Sequence, residues 1–153
     1  MRCINATSIE QAFSYLQRAE FASNLYTIKD NAFGEYLKYL KVTGVYSQTT
    51  TEDGNAVTSY VIDTVESKEF TGDINLSKTE ASITKLQKAG LTTAADKIQD
   101  VDGIQFLTGL NSLALTSNNI TSLDISKLVN LTELKMNFNK VGSLDLTHNT
   151  KLV

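Results

Sequence analysis

The chain has 153 residues, 41% of them hydrophobic and 20% charged, with a formal net charge of −3. This is the composition of a folded protein with room for one core or two small units sharing one, and its mild acidity gives no basic footprint for nucleic acid. No apolar run is long enough to cross a bilayer and "MRCINATSIEQAF" lacks the apolar stretch of a secretory signal, so the reading is either cytosolic or exported by a signal outside this sequence.

The single cysteine, Cys3, excludes an intramolecular disulfide. No lipobox precedes it, so it reads as an incidental terminal thiol. Ser8 and Gln11 make a capping box before the apolar stripe Ala12, Phe13, Leu16 and Ala19, which predicts a first helix. Asp30 or Asn31 caps a second, in which Phe33, Tyr36, Leu37 and Leu40 recur at helical spacing. "GVYSQTTTEDGNAVTSYVIDTV" (44–65) is rich in β-branched residues around Asp53-Gly54-Asn55. That pattern predicts a hairpin with a tight turn; a helix over 56–65 is the alternative. Ser77 with Glu80 predicts another capping box, followed by Ile83 and Leu86, with Gly90 as the stop. Ile98, Val101, Ile104, Leu107 and Leu110 then recur every three residues, as in a helical or 3₁₀ lead-in.

The next two stretches repeat. In "LNSLALTSNNITSLDISKLVN" (110–130) and "LTELKMNFNKVGSLDLTHNTK" (131–151), Leu110 matches Leu131, Leu113 matches Leu134, and Leu115 matches Met136. Asn118 matches Asn139 and Ile120 matches Val141, every pair 21 residues apart, and Leu152 falls where a third copy would start. The central L-x-L alternation predicts a short strand with Leu113 and Leu115 on one face. One such coil cannot bury its own apolar side, so coils must stack. Asn118 and Asn139 then serve at the corner, satisfying backbone groups that the turn leaves unpaired. The pattern carries the leucine-rich-repeat signature. It predicts an α/β leucine-rich-repeat solenoid of short parallel strands behind a mainly helical N-terminal cap. The expected organisation is cap 1–80, irregular lead-in 81–109, repeats 110–130 and 131–151, and a third repeat opening at 152, as at the start of a longer solenoid.

"YTIKDNAFGEYLKYL" (26–40), "GDINLSKTEASITKL" (72–86) and "IQDVDGIQFLTGLNSLAL" (98–115) resemble successive blocks of bacterial cell-surface leucine-rich-repeat proteins, internalin-like and Bacteroidetes surface-antigen-like. The resemblance covers residues 26–153. It implies an exported protein, displayed at a cell surface or secreted, whose repeats form a recognition scaffold. Many of these caps carry an EF-hand-like loop. Aligned here, Glu69, Thr71 and Asp73 take the first ligand positions and Glu80 the last, but Ile74 stands where the sharp turn requires glycine, so no metal site and no cofactor are assigned.

The catalytic inventory is thin. His148, the only histidine, lies in a predicted turn without a partner. Asp96, Asp100 and Asp102 read as the solvated side of the lead-in, and no catalytic residue is assigned. The expected function is non-catalytic protein–protein recognition or adhesion, with a purely structural cap, or the targeting module of an enzyme encoded elsewhere, as alternatives. The expected binding face comprises the residues between the inward leucines: Ser112, Ala114 and Thr116, then Glu133, Lys135 and Asn137. Phe138 follows, either as an exposed anchor for a protein partner or folded in to support the turn. Leu144, Leu146 and Leu152 in an uncapped last coil predict self-association through an open strand edge. The sequons at Asn5, Asn75, Asn119 and Asn130 matter only in a eukaryotic secretory pathway.

Overall fold

The computed structural model describes residues 22–153. Cys3, the sequon at Asn5 and the predicted first helix with Ser8, Gln11, Ala12, Phe13, Leu16 and Ala19 lie outside the described residues.

Strand β1 (Leu25–Ile28) runs into Asp30, whose carboxylate accepts a hydrogen bond from Phe33 N at 3.1 Å and caps helix α1 (Asn31–Tyr39). Phe33 and Leu37 put the apolar face of α1 into the core. Strands β2 (Val45–Glu52) and β3 (Asn55–Asp63) form a hairpin in which Glu52 pairs with Asn55. The two turn residues, Asp53 and Gly54, have φ of 49° and 82°, the left-handed pair that matches the twist of the flanking strands. The stretch is therefore a hairpin and not a helix over 56–65. β1 pairs with the other edge of β3, giving an antiparallel sheet of order β1-β3-β2.

The second sheet is parallel, β4 (Thr71–Asn75), β5 (Gly109–Ala114) and β6 (Glu133–Lys135), with β5 in the middle. Between β4 and β5 the chain forms helices α2 (Glu80–Lys88) and α3 (Thr92–Ala95) and a 3₁₀ turn at Ile104–Phe106. The cap of α2 is Thr79, whose hydroxyl accepts from Ser82 N at 3.2 Å. Ser77 donates its own N–H to Asn75 Oδ1 at 3.0 Å, so the expected Ser77–Glu80 capping box is not formed. Glu69 ends a 3₁₀ turn at Glu66–Glu69, whereas Thr71 and Asp73 lie on the extended strand β4.

These elements overturn the expected solenoid with a mainly helical cap. The molecule is a small mixed α/β structure with two three-stranded sheets, one antiparallel and one parallel, and three short α-helices among the described residues. The physical reason lies in residues 45–63, whose β-branched side chains favour an extended backbone. The long hairpin they form recruits β1, so the N-terminal part is organised by a sheet. The parallel sheet has only three strands, one of them drawn from before the repeats, and β6 is three residues long.

One hydrophobic core joins the two sheets. It runs from Phe33, Leu37 and Ile62 to Ile74, Leu76, Leu107, Leu110 and Leu113. Polar contacts cross the same junction. Asp30 Oδ2 accepts from Gln99 N at 2.7 Å and from Asp100 N at 3.1 Å, while the Tyr26 ring packs tilted against Phe106 with centroids 5.1 Å apart.

Candidate functional site

The outer face of the parallel sheet is held in place by asparagines behind it. Asn118 Nδ2 donates to Leu76 O at 3.0 Å and Leu115 O at 2.8 Å, and its Oδ1 accepts from Ile98 N at 3.0 Å. Asn139 acts in the same way on Leu115 O, Met136 O and Ile120 N, at 2.9, 2.9 and 3.1 Å. Leu110, Leu113, Leu115, Ile120 and Leu131 are buried beneath, whereas Leu134, Met136 and Val141 are only partly covered.

With the leucines turned inward, alternate residues turn out, and register lines them up. Partners on β5 and β6 are 21 residues apart: Ser112 with Glu133, Leu113 with Leu134, Ala114 with Lys135. Ser112 Oγ donates to Glu133 Oε2 at 2.9 Å, and Lys135 Nζ meets Glu133 Oε1 at 2.6 Å. These two bonds hold the Glu133 carboxyl below its usual range, the Lys135 ammonium being the larger influence. Ala114 departs from expectation. It points outward but is only 9% exposed, because the longer Asn75 and Lys135 flank its methyl in register. Thr116 is half-buried and Asn137 is exposed. The Ser117 N–H donates to Asn137 O at 2.9 Å, carrying the pairing of the two coils past the end of β6.

Phe138 is the most informative residue of the face. It has φ of 59°, and Ser117, its counterpart one repeat earlier, has φ of 64°. Both precede a corner asparagine, so the turn geometry requires a left-handed residue there. The Phe138 ring is 80% exposed, so it does not fold in to support the turn.

The chain matches no family model, no curated protein and no solved structure.

β4 adds residues that the repeat pattern did not mark. Asp73 pairs with Ser112 and Asn75 with Ala114, so both extend the rows of the face. Beyond Asn75 a cleft of about 270 Å³ opens between the sheet and the helices, lined by Tyr36, Tyr39, Leu40, Ser77 and Lys85 among others. β4 has no counterpart at the repeat spacing, so the only signal available was its alternating polarity, T-x-D-x-N.

The other titratable side chains singled out in the sequence lie apart from this face. His148 is exposed and its Nδ1 lies 3.1 Å from its neighbour Thr147 Oγ1. Asp102 is tied down by Tyr26, which donates its hydroxyl, by Gln105 Nε2 at 2.9 Å and by Lys29 Nζ at 3.2 Å. The Tyr26 hydroxyl is the main reason its carboxyl sits below the usual range. Asp100 turns back to accept from Asp102 N at 2.7 Å. A cleft of about 550 Å³ lies beside these residues, with Ser122 and Asp124 on its far wall. Among the described residues no three His, Cys, Asp or Glu side chains come together as a metal site, and no helix is long and apolar enough to cross a membrane.

Proposed function

We propose that the chain is a non-catalytic protein–protein recognition or adhesion module that binds another protein through the outer face of its parallel sheet. Phe138 carries this reading. An aromatic ring 80% exposed on a left-handed corner residue, beside the exposed row of Glu133, Lys135 and Asn137, has the features of an interface anchor with a polar surround. Asp73 and Asn75 widen the face to three strands, and the aromatic cleft at Tyr36 and Tyr39 continues it toward α1. Display outside the cell rests on the sequence resemblance to bacterial surface proteins alone.

A photo-crosslinking residue at position 138, with one at exposed Thr121 as control, tests the proposal against surface-protein fractions. The expected result is a discrete, saturable protein adduct from position 138 that unlabelled protein competes away and Phe138→Ala competes roughly tenfold less well or worse. Equal competition by F138A, or the same adduct from position 121, rejects this face as the binding surface.

A further inference from the structure

Tyr36 is 7% exposed and its side chain lines the cleft beyond Asn75, yet its hydroxyl makes no hydrogen bond among the described residues. Burial and the neighbouring Tyr39 push its pKa up, so the phenol keeps its proton and can donate. A polar group this deep needs a partner, and the cleft is the side from which one can come. Lys78 Nζ lies 4.2 Å over the Tyr36 ring, and the Tyr39 ring stands 6.3 Å away, tilted by 43°. Tyr39 is half-buried and forms the apolar wall of the cleft with Leu40 and Leu86.

The other lining groups are polar, and their existing bonds fix what each can still offer. Asn75 Oδ1 accepts from Ser77 N at 3.0 Å, which leaves Asn75 Nδ2 as a donor. Thr79 Oγ1 accepts from Ser82 N at 3.2 Å and keeps its own proton to donate. Ser82 Oγ donates to Ser77 O at 2.7 Å and to Thr79 O at 2.9 Å, so it offers its lone pairs. Among the residues lining the cleft, Lys85 alone is charged. We propose that this cleft binds the terminal pyranose ring of a glycan, with the C–H face of the sugar on Tyr39 and its hydroxyls on Tyr36, Asn75, Thr79 and Ser82. Other occupants satisfy less of the lining. An apolar side chain would bury the donors unpaired. A basic one would meet Lys85 and no carboxylate, and a carboxylate would face the lone pairs of Ser82. A sugar has an apolar face together with hydroxyls that both donate and accept, which suits a wall of both kinds. The volume of about 270 Å³ is at the small end for a ligand pocket and admits one ring. Phe138 is not part of this wall, so the site stands or falls independently of the protein-binding face.

Titration of the full 153-residue chain with the methyl glycosides of glucose, galactose, mannose and N-acetylglucosamine, followed by amide NMR, tests this. Each is run beside its free reducing sugar, because a glycan presents a ring whose anomeric oxygen is already linked. At least one glycoside is expected to bind with a dissociation constant of roughly 1–10 mM, shifting amides at 36–40 and 75–86. Tyr36→Phe keeps the ring and its contact with Lys78, so it removes the hydroxyl alone. It is expected to weaken binding roughly fivefold. Tyr39→Ala strips the apolar wall and is expected to weaken binding roughly tenfold. Phe138→Ala is expected to bind the glycoside as wild type does, and glycerol and acetate to leave the same amides unmoved. No binding by any of the glycosides, binding by the free sugars alone, equal binding by Y36F, loss of binding in F138A, or the same shifts with glycerol or acetate would each overturn the proposal.

Discussion

At the residue scale, the corner asparagines differ in what their loss would expose. Asn118 is buried and satisfied at both ends of its amide, so Asn118→Ala strips a partner from Ile98 N and Leu76 O in the core. Leu115 O still accepts from Asn139. Asn149 also donates twice, to Ile125 O and Leu128 O, but its own buried Oδ1 has no partner among the described residues, so Asn149→Ala also removes an unsatisfied acceptor. With each orphaned buried group costing about 1–3 kcal/mol, N118A should destabilise by about 3 kcal/mol and N149A by clearly less in urea unfolding. A reversed order would mean that the Asn118 bonds are not the support they form in the structure. Lys78 poses a different case. It is 4% exposed, donates to Ala94 O and lies 4.2 Å over the Tyr36 ring. Burial pushes its pKa down to about 8, against the pull of Asp30, Asp96 and Glu35. The unfolded chain therefore holds a proton at Lys78 that the folded chain has lost across a window from about 8 to 10.5. Where the unfolded state binds more protons, stability rises with pH. Between pH 8 and 9 stability should rise by on the order of 1 kcal/mol, and Lys78→Met should flatten that slope. A wild-type slope that persists in K78M assigns the effect to another group.

At the element scale, the fit of α1 on β3 depends on Gly34. A side chain there would place its Cβ 2.6 Å from Tyr60 Cγ. Alanine is the better helix former by about 1 kcal/mol. Forcing a methyl into a filled interface costs about 1–3 kcal/mol, and here the obstacle is the root of the tyrosine and not its flexible end. Gly34→Ala should therefore lower the melting temperature, and an unchanged or raised value would show that the helix can slide on the sheet. The same comparison shows what was legible in the sequence. The Asp53-Gly54 hairpin, the Asp30 cap and the pairing of Ser112 with Glu133 depend on local spacing, and spacing is written in the chain. β1 was not legible, because four residues, LYTI, become a strand only when β3 lies beside them. The α2 cap was ambiguous in sequence: Ser77 and Thr79 are both N-cap residues, and the choice of Thr79 depends on Asn75 holding the Ser77 N–H. For the candidate face, the repeat gave the rows on β5 and β6, but Asp73 and Asn75 came only with the three-dimensional pairing of β4. The exposure of Phe138 came only with the three-dimensional structure, because an aromatic at a turn can pack in or point out.

At the scale of the whole molecule, the question is whether the two sheets fold as one. Ile62 sits where they meet. It is buried on β3 between Tyr26 and Val45 in register, and its Cδ1 lies 3.0 Å from where a side chain on Gly103 would begin. Gly103 has φ of 113° and precedes the 3₁₀ turn that leads into β5, so the first sheet presses directly on the approach to the second. The polar contacts of Asp30 with Gln99 and Asp100 lie along the same seam. Ile62→Ala opens a cavity at that seam and should cost about 2–5 kcal/mol. If the seam makes the molecule one cooperative unit, the loss will not stay in the antiparallel sheet. Native-state hydrogen exchange should show amides of β4 and β5 losing protection by about as much as those of β2 and β3, with one coincident transition in far-ultraviolet circular dichroism and tyrosine fluorescence. Loss confined to residues 25–63, with β4 and β5 as protected as before, would show two units that merely touch. The recognition face would then be able to stand without the sheet behind it, and deletion of residues 1–65 would leave it folded. The continuous core from Phe33 to Leu113 argues for the first outcome, because neither sheet can expose its inner side without opening the other.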